Sequence, residues 1–328
     1  MKTILEKLYS QEYLTEQEAS NLLTGIVNKE FNDAQIASIL TVFIMRPINS
    51  TELIAFQNVL LEMAIPFETD GLDTIDVCGT GGDGKNSFNI STLSAFVVAG
   101  AGYKVVKHGN YGVSSLCGSS NVLEDMGVVF SNDKDKLKKQ LDKANICFLH
   151  APLFHPAMKA VAPLRRALGV RTFFNMLGPL VNPSKPNHQL TGVFSLELGR
   201  IYNKIQSQNN RNYSVIHSID GYDEISLTGP FKYFNNKGEG TIHPEDFDLA
   251  RITEKDIYGG ATIAESVAIF KNVLQNEATG PQKEVVLCNA ATAINCFDFD
   301  KSFQDCYAEA KTSIESGNAE KAFLGMCK

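Results

Sequence analysis

The chain has 328 residues, 44% of them hydrophobic, which is enough for one large domain or two unequal domains with a substantial core. Its formal net charge of −7 disfavours nucleic acid as a partner, because a phosphate backbone selects basic surfaces. Seven scattered cysteines show no metal-ligand spacing and indicate free thiols in a reducing compartment. The N-terminus is charged and no apolar run approaches the length of a membrane span, so we expect a cytoplasmic protein without a membrane partner.

Residues 1–66 are predicted to form helices only. Thr15 begins a capping-box pattern, and Asn32 and Ser50 each precede a further apolar, helix-periodic stretch. The stretch from Ile36 to Ile44 is apolar on more than one face, which a small helical domain by itself cannot shield from water. We therefore expect it to pack against another subunit or against a segment that returns from later in the chain.

From residue 72 to residue 328 the pattern changes to alternating strands and helices. This alternation predicts an α/β domain with a mainly parallel central sheet flanked by helices, which would join the smaller all-helical N-terminal domain. Ligands are then expected at the carboxyl ends of the strands. A Gly/Asn-rich hairpin is predicted between residues 231 and 243, and one helix is predicted over Ser302–Gly325. The strand candidates are Thr74–Cys78, Lys104–Lys107, Val128–Phe130, Ile146–His150, Gln189–Phe194 and Tyr213–Ser218.

The most informative stretch is DVCGTGGDGKNSFNIST, residues 76–92. A short apolar strand ends in a turn with four glycines in residues 79–84, and glycines let consecutive backbone amides converge on an anion. The loop leads into an apolar helix beginning near Ile90, which Ser87 or Asn89 can cap. The free N–H groups of its first turn then suit a phosphate.

Two common phosphate-binding motifs fit this stretch only in part. A dinucleotide fingerprint starting at Gly79 requires an acidic residue about 20 positions later, where Lys104, Lys107 and His108 stand instead. A P-loop requires Ser or Thr at the position of Asn86 to bind magnesium. Neither motif explains Asp83, whose carboxylate would repel a phosphate unless it faced a hydroxyl group or shared a metal ion. A phosphorylated sugar supplies those hydroxyl groups and is the ligand that we favour.

The run GTGGDGKNSFNIST closely resembles the phosphoribosyl pyrophosphate loop of the anthranilate phosphoribosyltransferase family, and KHGNYGVSS at Lys107–Ser115 resembles its second motif. HPAMK, FFNMLGPLVNP, DEISLTG and NAATAI follow in the family's order, so the resemblance covers nearly the whole chain. It implies transfer of the 5-phosphoribosyl group from phosphoribosyl pyrophosphate to the amine of anthranilate, with release of pyrophosphate, in tryptophan biosynthesis. It also implies Mg²⁺, a homodimer formed through the helical domain, and a segment near residues 160–187 that completes this domain.

The resemblance assigns the donor site residue by residue. Lys107 ends a strand beside the glycine loop, and its cation suits pyrophosphate; serines before a helix, such as Ser119, can bind phosphate but often serve only as caps. Adjacent carboxylates are usually solvated, but here they follow a strand end, and magnesium prefers a few carboxylates with phosphate oxygens. The implied magnesium ligands are Ser91, Asp223 and Glu224. The implied phosphoribosyl pyrophosphate contacts are Gly79, Gly82, Asp83, Ser87, Asn89, Ile90, Ser91, Thr92, Lys107, Ser115 and Ser119.

For anthranilate the resemblance implies Gly79, Asn110 and Arg165. An arginine can hold the substrate carboxylate through two parallel hydrogen bonds, and the neighbouring Arg166 is the surface alternative. We expect no residue to act as general acid, general base or covalent nucleophile, because the aromatic amine is already neutral at pH 7. The pocket can also be lined by His108 and His155.

The second motif departs from the family pattern in two places. Tyr111 stands where the family often has Arg, and Leu116-Cys117 replaces a common Lys-Ser pair, which can alter phosphate affinity or loop mobility. Two alternative functions are a pyrimidine nucleoside phosphorylase-like enzyme and a non-catalytic nucleic-acid-binding relative. The acidic pair Asp223 and Glu224 and the asparagine of KHGN disfavour the first, and the acidic net charge disfavours the second.

Overall fold

The computed structural model describes residues 1–112 and 117–327. Its N-terminal part is helical throughout. Thr15 and Asn32 cap their helices with complete capping boxes, as predicted, whereas Asn49 rather than Ser50 is the N-cap of the fourth helix. Asn49 has an extended backbone, and its side chain accepts the N–H of Glu52. These helices are α1 (Lys2–Tyr9), α2 (Glu16–Val27), α3 (Asp33–Met45) and α4 (Ser50–Glu62).

The core of this helical domain includes side chains from much later in the chain. The ring of Phe173 stacks on Phe56 with 4.6 Å between centroids and meets Phe43 edge-on at 5.2 Å. The Gln57 side-chain amide donates a 3.0 Å hydrogen bond to the carbonyl of Leu180. On these contacts we propose that residues 1–66 and the segment near 160–187 form one folding unit beside the α/β domain of residues 72–328.

The rest of the chain is built on one seven-stranded sheet with the order β3-β2-β1-β4-β5-β6-β7. The first five strands in that order are parallel, and the last two form an antiparallel hairpin at the edge. The predicted fold class and the predicted hairpin are therefore confirmed. The strands are β1 (Thr74–Gly79), β2 (Lys104–Gly109), β3 (Ile146–His150), β4 (His188–Gly192), β5 (Asn212–Ser218), β6 (Phe231–Asn235) and β7 (Gly238–Ile242).

Helices cover the sheet, and the one that follows the glycine loop is almost completely buried in the main core. No helix in the described part of the chain has the length and apolar character needed to cross a membrane. The helices are α5 (Ile90–Gly100), α6 (Ser119–Asp125), α7 (Lys134–Ala144), α8 (Ala151–Phe154), α9 (Pro156–Leu168), α10 (Phe173–Leu177), α11 (Leu196–Gln206), α12 (Ile263–Leu274), α13 (Gly280–Asn295), α14 (Phe303–Glu315) and α15 (Asn318–Cys327). Short 3-10 turns lie at Gly178–Leu180, Pro244–Phe247 and Glu254–Ile257.

Two predicted elements are wrong. Val128–Phe130 is not a strand: these residues pair with no described strand of the sheet, and the ring of Phe130 stacks on His150 of the edge strand β3 at 4.3 Å. Ser302–Gly325 is not one helix but two, because the chain turns at Gly317 with a φ of +72°. That left-handed conformation ends a helix and is one that glycine adopts without strain.

The sheet topology fixes where a ligand can bind. β2 and β3 extend the sheet on one side of β1, whereas β4 and β5 extend it on the other. In open α/β sheets, ligands bind outside the carboxyl ends of the strands at such a switch point. The last residues of the two central strands, Gly79 and Gly192, are register partners at this point.

Candidate active site

The glycine loop leaves the end of β1 in a conformation that depends on glycine. Gly81, Gly82 and Gly84 have φ angles of +63°, +75° and +74°, values that other residues rarely adopt. The N–H of Gly81 donates a 2.6 Å hydrogen bond to Oδ2 of Asp223. One side of the loop is therefore held by a carboxylate from the segment that follows β5.

Asp223 lies directly over the two glycines that end the central strands. A Cβ on Gly79 would collide with the Asp223 carboxylate, and a Cβ on Gly192 would collide with its backbone carbonyl. Glycine is required at both positions for this close approach. The contact brings the acidic pair to the carboxyl edge of the sheet, beside the loop.

Glu224 meets the first turn of α5. Its Oε1 accepts the N–H of Ser91 at 3.2 Å. Asn89 is the N-cap residue of this helix, as one of the two predicted alternatives, but its side chain makes no capping hydrogen bond: its Nδ2 donates to the carbonyl of Cys117 at 2.9 Å. Ser87 forms an isolated bridge with Tyr258. A helix N–H that a local cap could have bound therefore donates to Glu224, from another part of the chain.

The other residues predicted to bind the donor lie in α5 and at the second loop. Ile90 and Thr92, in the first turn of α5, are almost completely buried. Ser119 begins α6, and its hydroxyl donates a 3.1 Å hydrogen bond to the carbonyl of Asn110. Ser115 and Leu116 lie outside the described residues.

Lys107 is a buried cation rather than a solvated strand end. Only 2% of the residue is exposed, and its Nζ donates to the carbonyl of Val77 on β1. The neighbouring Asp76 is fully buried and accepts the N–H of His108 at 3.1 Å and the side-chain amide of Asn182 at 2.9 Å. Lys107 thus supplies positive charge between β1 and β2, beneath the carboxyl edge.

Burying the carboxylates of Asp223, Glu224 and Asp83 in their charged form costs free energy. Burial, together with the charges of Glu224 and Asp83, raises the pKa of Asp223 well above its usual range. Burial raises the pKa of Glu224 to about 7, although Lys107 and the hydrogen bonds from Ser91 oppose the shift. Burial also raises the pKa of Asp83, whose Oδ2 has no hydrogen-bond partner among the described residues. A cation or a donor-rich ligand would relieve this cost.

Tyr111 turns towards α6 and β3. The N–H of Tyr111 donates to Oδ1 of Asn110 at 2.8 Å, its hydroxyl donates to Glu124 at 3.3 Å, and its ring meets His150 edge-on at 5.0 Å. His150 in turn contacts the Ser120 hydroxyl at 2.9 Å. The start of the second loop is therefore attached to α6 by an aromatic side chain.

The two histidines predicted to line the pocket lie together. The rings of His108 and His155 are 5.1 Å apart, and Nδ1 of His108 is 3.1 Å from the carbonyl of Gly178. Burial lowers the pKa of His108 to about 3 and that of His155 to about 4, so both rings are neutral at physiological pH. Nε2 of His108 has no partner among the described residues.

Arg165 approaches the same segment from α9. Its Nη2 donates a 3.2 Å hydrogen bond to Oδ1 of Asn175, and its guanidinium lies 5.3 Å from the ring centroid of Phe174. Burial lowers its pKa to about 10, which leaves it charged at pH 7. Arg166 on the same helix is exposed. In the described part of the chain Arg165 forms no hydrogen bond with Asn110, the other side chain predicted to bind the acceptor.

Known proteins resemble this chain over nearly its whole length. A family profile described as "Glycosyl transferase family, a/b domain" matches residues 71–320, and one described as "Glycosyl transferase family, helical bundle domain" matches residues 2–64. The chain is similar to the anthranilate phosphoribosyltransferase of Flavobacterium psychrophilum, with 54% identity over 97% of this chain and 96% of that protein. The chain belongs to the anthranilate phosphoribosyltransferase family.

Solved structures of this family share the fold. The anthranilate phosphoribosyltransferase of Thermus thermophilus has 32% identity and a TM-score of 0.90 over 98% of both chains. The Saccharomyces cerevisiae enzyme, solved in complex with phosphoribosyl pyrophosphate and Mg, has 25% identity and a TM-score of 0.90 over 98% of this chain and 95% of that chain. These similarities fit the anthranilate phosphoribosyltransferase interpretation and not the phosphorylase-like or nucleic-acid-binding alternatives.

Two basic side chains at the glycine loop of this family member, Arg171 and Lys85, were not among the predicted site residues, although Lys85 occupies the lysine position of the rejected P-loop motif. Nη1 of Arg171 donates to the carbonyl of Gly82, and Nζ of Lys85 forms a 2.8 Å ion pair with Glu254 while lying 4.7 Å from the ring centroid of Tyr222. Arg171 sits in the turn between α9 and α10, where an exposed arginine carries no local signal of its partner. Only the fold brings it to the loop.

Proposed function

We propose that this protein transfers the 5-phosphoribosyl group of phosphoribosyl pyrophosphate to the amine of anthranilate and releases pyrophosphate, as a step of tryptophan biosynthesis. The observation that carries the proposal is the buried acidic pair, Asp223 and Glu224, which is bonded to a backbone N–H of the glycine loop and to one of the first turn of α5. Acidic groups and converging backbone amides at one sheet edge suit a sugar that carries both phosphates and hydroxyl groups.

The donor would bind across this edge. The amides of the loop and of α5 suit its phosphate oxygens, and Asp83 is placed to face a hydroxyl group of the ribose or a shared metal ion. Polar atoms without partners in the described structure include Oγ1 of Thr80 and Oδ1 of Asn89, which can bond to the ligand. The proposed contacts are Gly79, Gly82, Asp83, Ser87, Asn89, Ile90, Ser91, Thr92, Lys107, Ser115 and Ser119.

The same residues fit magnesium. We assign Ser91, Asp223 and Glu224 to the ion, because buried carboxylates with raised pKa values are stabilised by a divalent cation. Among residues 1–112 and 117–327, no group of three or more His, Cys, Asp or Glu side chains could hold a metal ion unaided. This suits magnesium, which usually combines one or two carboxylates with phosphate oxygens and water. When bound, the ion would supply positive charge to the departing pyrophosphate.

The acceptor would bind towards α9. Arg165 is half-buried and charged, and it can hold the anthranilate carboxylate, with Gly79 and Asn110 as further contacts and His108 and His155 as neutral lining. The two histidines are neutral at pH 7 because their pKa values lie far below it, and bases this weak are poor proton acceptors. Catalysis then rests on positioning and on electrostatic stabilisation rather than on a general base.

We further propose a homodimer formed through the helical domain. Ile44 and Met45, at the end of α3, are 48% and 74% exposed, and Tyr9 and Tyr13 in the same domain are about half exposed. Apolar side chains gathered on one small domain are typical of a surface that another subunit covers. Light scattering after size exclusion should give twice the mass of the chain, and a strict monomer at micromolar concentration would contradict the dimer.

The activity can be tested with one fluorescence experiment. Anthranilate fluorescence should fall with time only when both phosphoribosyl pyrophosphate and magnesium are present. A decrease without magnesium would contradict the metal assignment, and no decrease under any condition would contradict the acceptor. Phosphorolysis of thymidine, run in parallel, should give no product.

A further inference from the structure

We propose that Arg171 is a positioning residue that couples the donor loop to the acceptor side of the active site. The inference rests on the proposed function, because it assumes that the glycine loop holds the donor and that Arg165 holds the acceptor. The donor loop and Arg165 are physically connected through Arg171 and Asn175.

The first part of this connection joins Arg171 to the loop. Its Nη1 donates to the carbonyl of Gly82, and its guanidinium lies over the ring of Phe194 at 4.7 Å from the centroid. A Cβ on Gly82 would lie only 2.7 Å from Cδ of Arg171. The arginine side chain is thus packed against the loop backbone on one side and against an aromatic ring that follows β4 on the other.

The second part joins Arg171 to Arg165. Thr172, the next residue, donates its N–H to Oδ1 of Asn175 at 3.1 Å, and the same oxygen accepts Nη2 of Arg165 at 3.2 Å. A displacement of the backbone at residues 171 and 172 therefore changes the position of the group that orients the Arg165 guanidinium. The connection is continuous from Gly82 to Arg165 through hydrogen bonds and one peptide unit.

The position of the glycine loop depends on its contacts with other parts of the chain. Its glycines at positive φ have wide conformational freedom, so the loop backbone does not select one arrangement by itself. On one side the loop is attached to the sheet, through the N–H of Thr80 to the carbonyl of Gly192 at 2.9 Å and through Gly81 to Asp223. On the other side it is attached by Arg171, which belongs to the segment between α9 and α10. A phosphate that orders the loop would thereby also order that segment.

Equilibrium binding without turnover tests the coupling. Anthranilate is titrated by fluorescence in the absence and in the presence of saturating magnesium pyrophosphate. Pyrophosphate should occupy the donor site, but it has no ribosyl group that could be transferred to anthranilate. For the unchanged protein we expect pyrophosphate to tighten anthranilate binding by about fivefold, the lower end of typical coupling between sites. In Arg171→Met, which keeps an unbranched side-chain stem but loses the guanidinium with its donors and charge, the ratio of the two dissociation constants should fall close to one. A merely local defect on the acceptor side would weaken anthranilate binding equally with and without pyrophosphate and leave the ratio unchanged. Linkage requires anthranilate to change pyrophosphate affinity by the same factor, so the reverse titration checks the measured ratio.

Two further variants complete the test. Arg171→Lys keeps the charge and a donor nitrogen but loses the planar group over Phe194, so its ratio should be intermediate. This variant also decides the matter if circular dichroism shows that Arg171→Met does not fold. Arg251→Ala is the matched control, since it removes a surface arginine with a 2.7 Å ion pair to Glu245, and its ratio should equal that of the unchanged protein.

A ratio of one in the unchanged protein, or an undiminished ratio in the folded Arg171 variants, would overturn the coupling. Failure of the unchanged protein to bind either ligand would instead overturn the proposed function.

Discussion

Gly81 and Asp223 are joined by a 2.6 Å hydrogen bond although 142 positions separate them in the chain. Through this bond the carboxylate that we assign to magnesium also holds the loop that we assign to phosphate. The two functions of Asp223 are chemically separable, because an amide oxygen can accept a hydrogen bond but carries no charge.

Asp223→Asn should therefore lower turnover chiefly through the lost charge. The asparagine oxygen can still accept the Gly81 N–H, so the loop should stay in place while magnesium binds more weakly. We expect kcat to fall at least tenfold, which corresponds to about 1.4 kcal/mol, and the magnesium concentration for half-maximal rate to rise. Steady-state kinetics over a magnesium titration measures both, with Asp142→Asn on the exposed face of α7 as control. Unchanged kinetics would remove Asp223 from the metal site.

Gly79→Ala should damage the site through shape alone. The added methyl group would collide with the Asp223 carboxylate, so either the loop or the acidic residue must move. We expect a loss of about 1–3 kcal/mol in the free energy of unfolding, typical of an overpacked site, and a raised KM for phosphoribosyl pyrophosphate. Chemical denaturation and kinetics check the two effects. Gly280→Ala is the control, because a Cβ there meets no atom within 4 Å and both quantities should stay nearly unchanged.

Arg165→Ala should act on the acceptor and leave the donor site intact. It removes the guanidinium that is bonded to Asn175 and, in the proposed function, to the substrate carboxylate. A hydrogen bond to a charged group contributes about 1.5–3 kcal/mol, so the KM for anthranilate should rise roughly tenfold or more while that for phosphoribosyl pyrophosphate changes little. The exposed Arg166→Ala should leave both constants unaltered. Equal effects of the two substitutions would contradict the assignment.

His155→Gln should reduce the sensitivity of the fold to acid. The pKa of His155 is about 4 in the folded protein and about 6.5 when unfolded, so between these values the unfolded state binds more protons and stability is lost as the pH falls below about 6.5. This one ring accounts for a loss of about 2 kcal/mol on going from pH 7 to pH 5. His108 lies 5.1 Å away and retains its own, similar sensitivity, so the variant should lose less stability than the unchanged protein but not become independent of pH. Denaturation at the two pH values measures the difference, and parallel losses in both proteins would contradict the prediction.

The fold and part of the site could be predicted because their signals are local. The helix caps at Thr15 and Asn32, the alternation of strands and helices, and the glycine run after β1 each depend on residues within a few positions of one another. Local signals do not reveal a contact that a group from a distant part of the chain makes. Asn89 is the kind of residue that caps a helix, but its side chain binds Cys117 while Glu224 accepts the N–H of Ser91.

By itself the sequence determined an α/β fold with a helical N-terminal domain, a glycine loop suited to phosphate, and a set of charged residues with suitable chemistry. Only the tertiary structure decided which of these meet: Asp223 over Gly79, and Arg171 against Gly82. The physical reason is the range of the interactions. Backbone conformation and periodicity are set by near neighbours in the chain, whereas the contacts of a crevice form when β1 and β4 pair and the segment after α9 packs on the helical domain. Because Gly79 and Gly82 have no side chains, the Asp223 carboxylate and Arg171 can reach the loop.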